Sequence, residues 1–174
     1  KKIESPAQIL HYMNLAVIEI LNQQGLQTQD DGMDMTIARI ETDSGKLNVA
    51  TANQEALLFR NGACETVPAG NFSVGGFLSA RKTAVYNDLQ YSLCPEDSFY
   101  MFSDGLIDQF GGDGNEKFSL NRFREIISGM YTEPAGKQEA VLAGKLDAWM
   151  NPAPGVNIPQ LDDILVIGIS FRIQ

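Results

Sequence analysis

The order of elements along the chain predicts an α+β protein built on antiparallel sheets. Three observations carry this expectation: an amphipathic helix near the start, a run of short strands separated by turn signals, and helices followed by one very apolar strand. Strands and helices grouped in this way, rather than alternating singly, give segregated layers and not βαβ units.

Ser5-Pro6 opens the first helix, with serine as N-cap and proline at the first helical position. Ile9, Leu10, Met13, Val17, Ile20 and Leu21 then recur at helical spacing and predict one buried face. The polar stretch Asn22 to Asp31, with Gly25 inside it, ends the helix. Met33, Met35, Ile37 and, after a slip, Ile40 predict a strand from Met33 to Glu41. Asp43-Ser44-Gly45 is a turn, followed by strands from Lys46 to Ala52 and Ala56 to Arg60 and by the hairpin signal Asn61-Gly62, so the middle of the chain reads as an antiparallel meander. Pro68 to Phe77 reads as a Gly-rich loop, and Thr83 to Tyr91 and Ser98 to Ser103 as strands around a turn at Pro95-Glu96-Asp97. A short helical turn from Leu106 to Phe110 precedes the flexible stretch Gly111 to Gly114. Helices follow over Leu120 to Met130 and about Lys137 to Met150, the second expected to bury Ala140, Val141, Leu142, Leu146 and Trp149. After the linker Asn151 to Pro159, Ile164 to Phe171 is an almost continuous apolar run of the kind found in central strands.

Composition narrows the function. With 174 residues and no internal repeat, the chain reads as a single domain, residues 1–174. A net charge of −9 argues against nucleic acid, whose backbone is bound by clustered Lys and Arg. No apolar run is long enough for a membrane span, so no membrane contact is expected. Cys64 and Cys94 lack metal-ligand or redox spacing and point to a reducing, cytoplasmic setting.

Two apolar strands carry acidic residues at their ends: Phe99-Tyr100-Met101-Phe102-Ser103-Asp104-Gly105 and Leu161-Asp162-Asp163-Ile164-Leu165-Val166-Ile167-Gly168-Ile169. If these strands are neighbours, Asp104 converges with Asp162 or Asp163, and close carboxylates repel unless they share a proton or bind a hard cation. Gly105 permits a tight turn and a close approach of the main chain to such an ion. Taken singly, Asp104-Gly105 is equally a turn, and Asp162-Asp163 equally a solvated strand entrance.

The joint pattern is more specific. Met101-Phe102-Ser103-Asp104-Gly105-Leu106-Ile107-Asp108-Gln109-Phe110-Gly111-Gly112, then Lys117-Phe118 and Arg122-Phe123, and finally Asp162 to Ile169, resemble the closing half of the SpoIIE-like branch of PPM-type (protein phosphatase 2C-like) serine/threonine phosphatases. Asp31-Gly32-Met33-Asp34, Ala50-Thr51-Ala52-Asn53 before Leu57 to Gly62, and Ser73-Val74-Gly75-Gly76 resemble further segments of that family in the expected order, although Thr51 and Glu55 replace its common Gly and Pro.

The resemblance implies a four-layer α-β-β-α sandwich of antiparallel sheets with two Mn2+ or Mg2+ ions in a cleft. A metal-activated water would there hydrolyse phosphoserine or phosphothreonine. By position, Asp104 and Asp162 match metal ligands, Gly105 and Asp163 stand beside them, and Asp34, with Asp31, matches a carboxylate for an additional, weaker metal. Asn53, Gly75 and Gly76 match the cleft rim, and Arg60 and Lys117 are candidates to meet substrate phosphate. The implied setting is bacterial signal transduction and sigma factor regulation, with a phosphorylated anti-anti-sigma-type protein as substrate and an upstream sensory or membrane region as controller. Family members also carry an Asp-Gly-His-Gly segment that bridges both metals. This chain holds none, and its one histidine is His11. The resemblance therefore covers the C-terminal two-thirds of a catalytic domain lacking its N-terminal strands. Metal binding is then expected to be weak or absent, activity impaired, and self-association, including a homodimer, favoured by uncovered sheet edges. The alternative reading is a non-catalytic regulatory or phosphoprotein-binding module on the same fold.

Overall fold

The computed structural model describes residues 5–21, 32–76 and 83–172. The chain divides into two compact units, one formed by Lys1–Ala56 and Thr66–Cys94, the other by Leu57–Glu65 and Pro95–Gln174.

The first unit begins with helix α1 (Pro6–Ile20), capped by the Ser5 hydroxyl, which accepts the Gln8 N–H at 3.1 Å. The Asp88 carboxylate secures the same end, accepting hydrogen bonds from the Ser5 hydroxyl and, at 2.9 Å, from the Ala7 N–H. An acceptor at a helix N-terminus satisfies donors that have no partner within the helix. The buried stripe is Pro6, Leu10, Asn14 and Ile18, whereas Ile20 and Leu21 are exposed, so the inward face is rotated from the one the apolar spacing suggested. The rotation follows from Asn14, whose Oδ1 accepts the Gly75 N–H at 2.7 Å in a buried contact and draws its own side of the helix inward.

The predicted Met33 to Glu41 strand is broken at Asp34 into β1 (Gly32–Met33) and β2 (Met35–Glu41). β2 pairs antiparallel with β3 (Lys46–Ala52) from Met35↔Ala52 to Glu41↔Lys46. β1 pairs instead with β6 (Val74–Gly75), inside the region expected to be loop. β7 (Leu89–Ser92) completes the sheet ordered β2-β3-β7. This last strand is shorter than the predicted Thr83 to Tyr91, because Asp88 is taken up by the start of α1 and the Tyr86 hydroxyl by the Ser73 carbonyl. Leu10, Ala50, Ala52 and Val74 form a core between helix and strands. Residues 22–31, with Asp31 and Gly25, lie outside the described residues.

The second unit is a sheet ordered β11-β8-β4-β5, from β4 (Ala56–Arg60), β5 (Ala63–Val67), β8 (Ser98–Phe102) and β11 (Val166–Ser170). Asn61 and Gly62 turn the β4–β5 hairpin with φ of 50° and 78°, the left-handed conformation such a turn requires. The expected meander fails between β3 and β4, which belong to different sheets. β8 runs directly into a short helix, α2 (Asp104–Asp108), which is followed by a small hairpin of β9 (Phe110–Gly111) and β10 (Glu116–Lys117) where flexible glycines were expected. Helices α3 (Leu120–Ser128) and α4 (Ala135–Met150) come next. On α4 only Gln138 is buried. Leu142, Leu146 and Trp149 are half-buried, and Ala140 and Val141 face outward.

The core of this unit gathers Leu57, Phe59, Tyr100, Phe102, Leu106, Phe118, Phe123 and Ile127. Each such side chain contributes about 1.5–3 kcal/mol by leaving water. Edge-on ring pairs such as Phe59–Tyr100 at 5.5 Å and Phe102–Phe123 at 5.1 Å add roughly 0.5–1.5 kcal/mol apiece. β11 pairs with β8 from Val166↔Phe102 to Ser170↔Ser98, but among the described residues it is an edge strand and not the central one its apolar run suggested; Leu165 and Ile167 are exposed. Among the described residues no helix is long and apolar enough to cross a membrane.

Candidate metal and phosphate site

The pairing of β8 with β11 decides where the acidic residues go. Leaving β8, Ser103 grips the chain entering β11: its N–H donates to the Leu165 carbonyl at 2.9 Å, its hydroxyl donates to the Asp163 carbonyl at 2.7 Å, and that hydroxyl accepts the Leu165 N–H at 2.9 Å. Asp104 follows as the first residue of α2 and Gly105 as the second. Gly105 is buried with the Asp162-Asp163 backbone against it, so close that a Cβ there would lie 2.5 Å from the Asp163 carbonyl oxygen. Only glycine allows this approach.

Asp104, Gly105, Asp108, Phe110, Lys117, Leu161 and Asp162 line one cavity of about 240 Å³. Asp162 shapes its own turn, its Oδ1 accepting the Asp163 N–H at 2.7 Å. The Lys117 ammonium lies 2.9 Å from Asp108 Oδ1 and offsets the charge of that carboxylate. Asp104 and Asp162 are exposed, and both line this cavity. Among the described residues no cluster of three or more His, Cys, Asp or Glu is arranged to hold a metal ion. Carboxylate oxygens are the donor type a hard divalent cation takes, and two of them would leave the rest of its shell to water.

The other candidates assemble in the first unit. At the break between β1 and β2, Asp34 accepts the Asn53 side-chain amide at 2.8 Å and the Ser73 hydroxyl on its other oxygen. Asn53 has φ 51°, and Gly75 and Gly76 have φ 76° and 78°. Asp34 and Asn53 thus share one hydrogen-bonded cluster, and Gly75 reaches it through its pairing with Gly32. Asp163 contributes its carbonyl to Ser103, and its carboxylate is not among the cavity-lining groups. Arg60 is placed at the opposite end of β8 from Asp104, 3.4 Å from Asp97. His11 is exposed on α1.

Asp108 and Gln109 have a place at or beside the cavity that the sequence pattern did not assign them. Asp108 stands four residues after Asp104, a spacing that puts two side chains on one helical face and was available as a signal. Gln109 had none, since its role depends on a loop some fifty residues away.

The fold is that of PP2C phosphatase domains. It is similar to the SiaA-PP2C domain of Pseudomonas aeruginosa, at TM-score 0.81 and 21% identity over 96% of this chain and 61% of that one. It is also similar to the phosphatase domain of the cell fate determinant SpoIIE from Bacillus subtilis in a Mn-presoaked crystal, at TM-score 0.59 and 16% identity over 100% of this chain and 75% of that one. The RsbU and RsbW domains of Rv1364c from Mycobacterium tuberculosis match at TM-score 0.57 and 16% identity over 91% of this chain and 41% of theirs. No curated protein sequence matches. The family model Stage II sporulation protein E (SpoIIE) matches residues 1–172, and the chain belongs to that family.

Proposed function

We propose that this chain is the catalytic part of a metal-dependent protein phosphatase that hydrolyses phosphoserine or phosphothreonine in a bacterial signalling protein of the anti-anti-sigma type. One observation carries the reading: Asp104, just after β8, and Asp162, in the irregular chain that leads into β11, line one cavity with Lys117. Family membership and the Mn-presoaked SpoIIE phosphatase domain support the choice of Mn2+ or Mg2+. When bound, such an ion lowers the pKa of a coordinated water and offsets charge on phosphoryl oxygens. In this reading Asp104 and Asp162 are its ligands, Gly105 leaves room for close approach, and Lys117 swings from Asp108 to meet a substrate phosphate. By the same family resemblance, Asp34 matches a carboxylate for a weaker metal, and Asn53, Gly75 and Gly76 match rim positions.

The test is phosphate release from a phosphoserine peptide with and without Mn2+. The unsubstituted protein, the parent of the variants below, is expected to turn over only with Mn2+ and to stop when the metal is chelated. Asp104→Asn and Asp162→Asn are expected to lose more than the roughly 10–100-fold that removal of a supporting residue costs. Absence of Mn2+-dependent turnover in the parent favours the alternative, a phosphoprotein-binding module; full activity of Asp104→Asn removes the assigned site.

A further inference from the structure

A fully buried amide belongs to the residue between Asp108 and Phe110, both of which line the cavity. Gln109, the residue after α2, is 1% exposed, and its side chain hydrogen-bonds to main-chain groups. Its Nε2 donates to the carbonyls of Phe110 and Pro159, each at 3.0 Å, and its Oε1 accepts the Leu161 N–H at 3.3 Å. Its own carbonyl accepts the Phe118 N–H at 2.8 Å and the Trp149 indole N–H at 3.2 Å, which fixes the backbone from which the amide reaches out.

The positions of these partners give the amide a purpose. The regular β8–β11 ladder stops at Val166↔Phe102, so residues 159–165 approach the cavity as irregular chain. Ser103 holds that chain on one side of Asp162, at Asp163 and Leu165. Gln109 holds it on the other side, at Pro159 and Leu161. Both anchors come from the segment that carries Asp104, one on each flank of α2. The two carboxylates are therefore referenced to a single rigid piece of backbone although they stand far apart in sequence.

We propose that Gln109 is a positioning residue for the metal-binding pair, setting the place of Asp162 relative to Asp104; this rests on the metal-site reading above. A carboxylate on loosely held chain loses affinity because ordering it must then be done at the expense of binding.

The experiment measures Mn2+ binding directly, by the electron paramagnetic resonance of free Mn2+, alongside thermal unfolding without metal. Gln109→Met keeps the side-chain length and removes every amide contact. It is expected to raise the Mn2+ Kd by about tenfold or more, the range reported for groups that orient ligands. Gln138→Met is the control: Gln138 is also buried, bonded to Tyr100, Tyr131 and Glu133, and does not line the cavity. Its loss is expected to lower thermal stability while leaving the Mn2+ Kd unchanged. Should Gln109→Met not fold, Gln109→Asn, which withdraws the amide by one methylene, takes its place under the same criteria. An unchanged Kd on altering Gln109, or an equal weakening in Gln138→Met, overturns the proposal. Asp104→Asn separates the two levels: if it retains Mn2+ binding, the metal-site reading fails and this inference with it. If it loses binding while Gln109→Met keeps it, the inference alone fails.

Discussion

Gly105 has the Asp162-Asp163 backbone in the space a side chain would fill. Gly105→Ala must push the Asp163 carbonyl away from α2 and disturb the Ser103 contacts with it. The expected cost is about 1–3 kcal/mol of stability, as for other overpacked sites, together with weaker Mn2+ binding; thermal melting and metal titration of the variant check both. At Tyr100, burial pushes the phenol up to about 12, against the lowering effect of hydrogen bonds to Ser98 and Gln138. The neutral phenol is thus preferred in the folded state. The sign follows: this stabilisation is complete below about pH 10, the ordinary phenol value, and is lost as pH rises through about 12. The difference amounts to roughly 2–3 kcal/mol. Denaturant unfolding between pH 9 and 12 is expected to show this alkaline decline in the parent and a shallower one in Tyr100→Phe.

At the scale of elements, what is written locally was legible and what depends on a distant partner was not. Ser5-Pro6 and Asn61-Gly62 announce a helix start and a hairpin because the chemistry of each is complete within a few residues. The acidic residues that flank β8 and β11 were legible for a related reason, since an apolar run bounded by Asp is a local mark; the ladder sets the two strands side by side, and the contacts of Ser103 and Gln109 with residues 159–165 hold the Asp162 segment beside α2. The apolar run of β11 was misread as central because hydrophobicity reports exclusion from water and not the number of neighbouring strands. The buried stripe of α1 was misplaced because it turns on Asn14, a polar residue that periodicity counts as outward but that Gly75 draws in. Likewise Asp88 reads as a strand residue until its place at the start of α1 is known. Gln109 is the extreme case, a polar side chain whose every partner is backbone supplied by the fold.

For the whole molecule, the uncovered margin at β11 matters most. Among the described residues this strand has β8 as its one neighbour, and Leu161, Leu165 and Ile167 on and before it are exposed. An apolar edge with free backbone groups invites further strand pairing. Sedimentation of the chain is expected to show association that grows with concentration, and Ile167→Lys to reduce it; a parent that stays monomeric at high concentration would count against this. The net charge of −9 opposes association only weakly at physiological salt, where exposed charges are screened within about 8 Å.

The grip of Ser103 on Asp163, formed by residues 60 positions apart, also sets a schedule for biosynthesis. A ribosome that has released α2 has made one wall of the cavity and nothing to face it. The opposing wall leaves the exit tunnel only after both intervening helices. Until that moment the growing polypeptide carries Asp104 and Asp108 without Asp162, and the cavity lacks the wall that Leu161 and Asp162 supply.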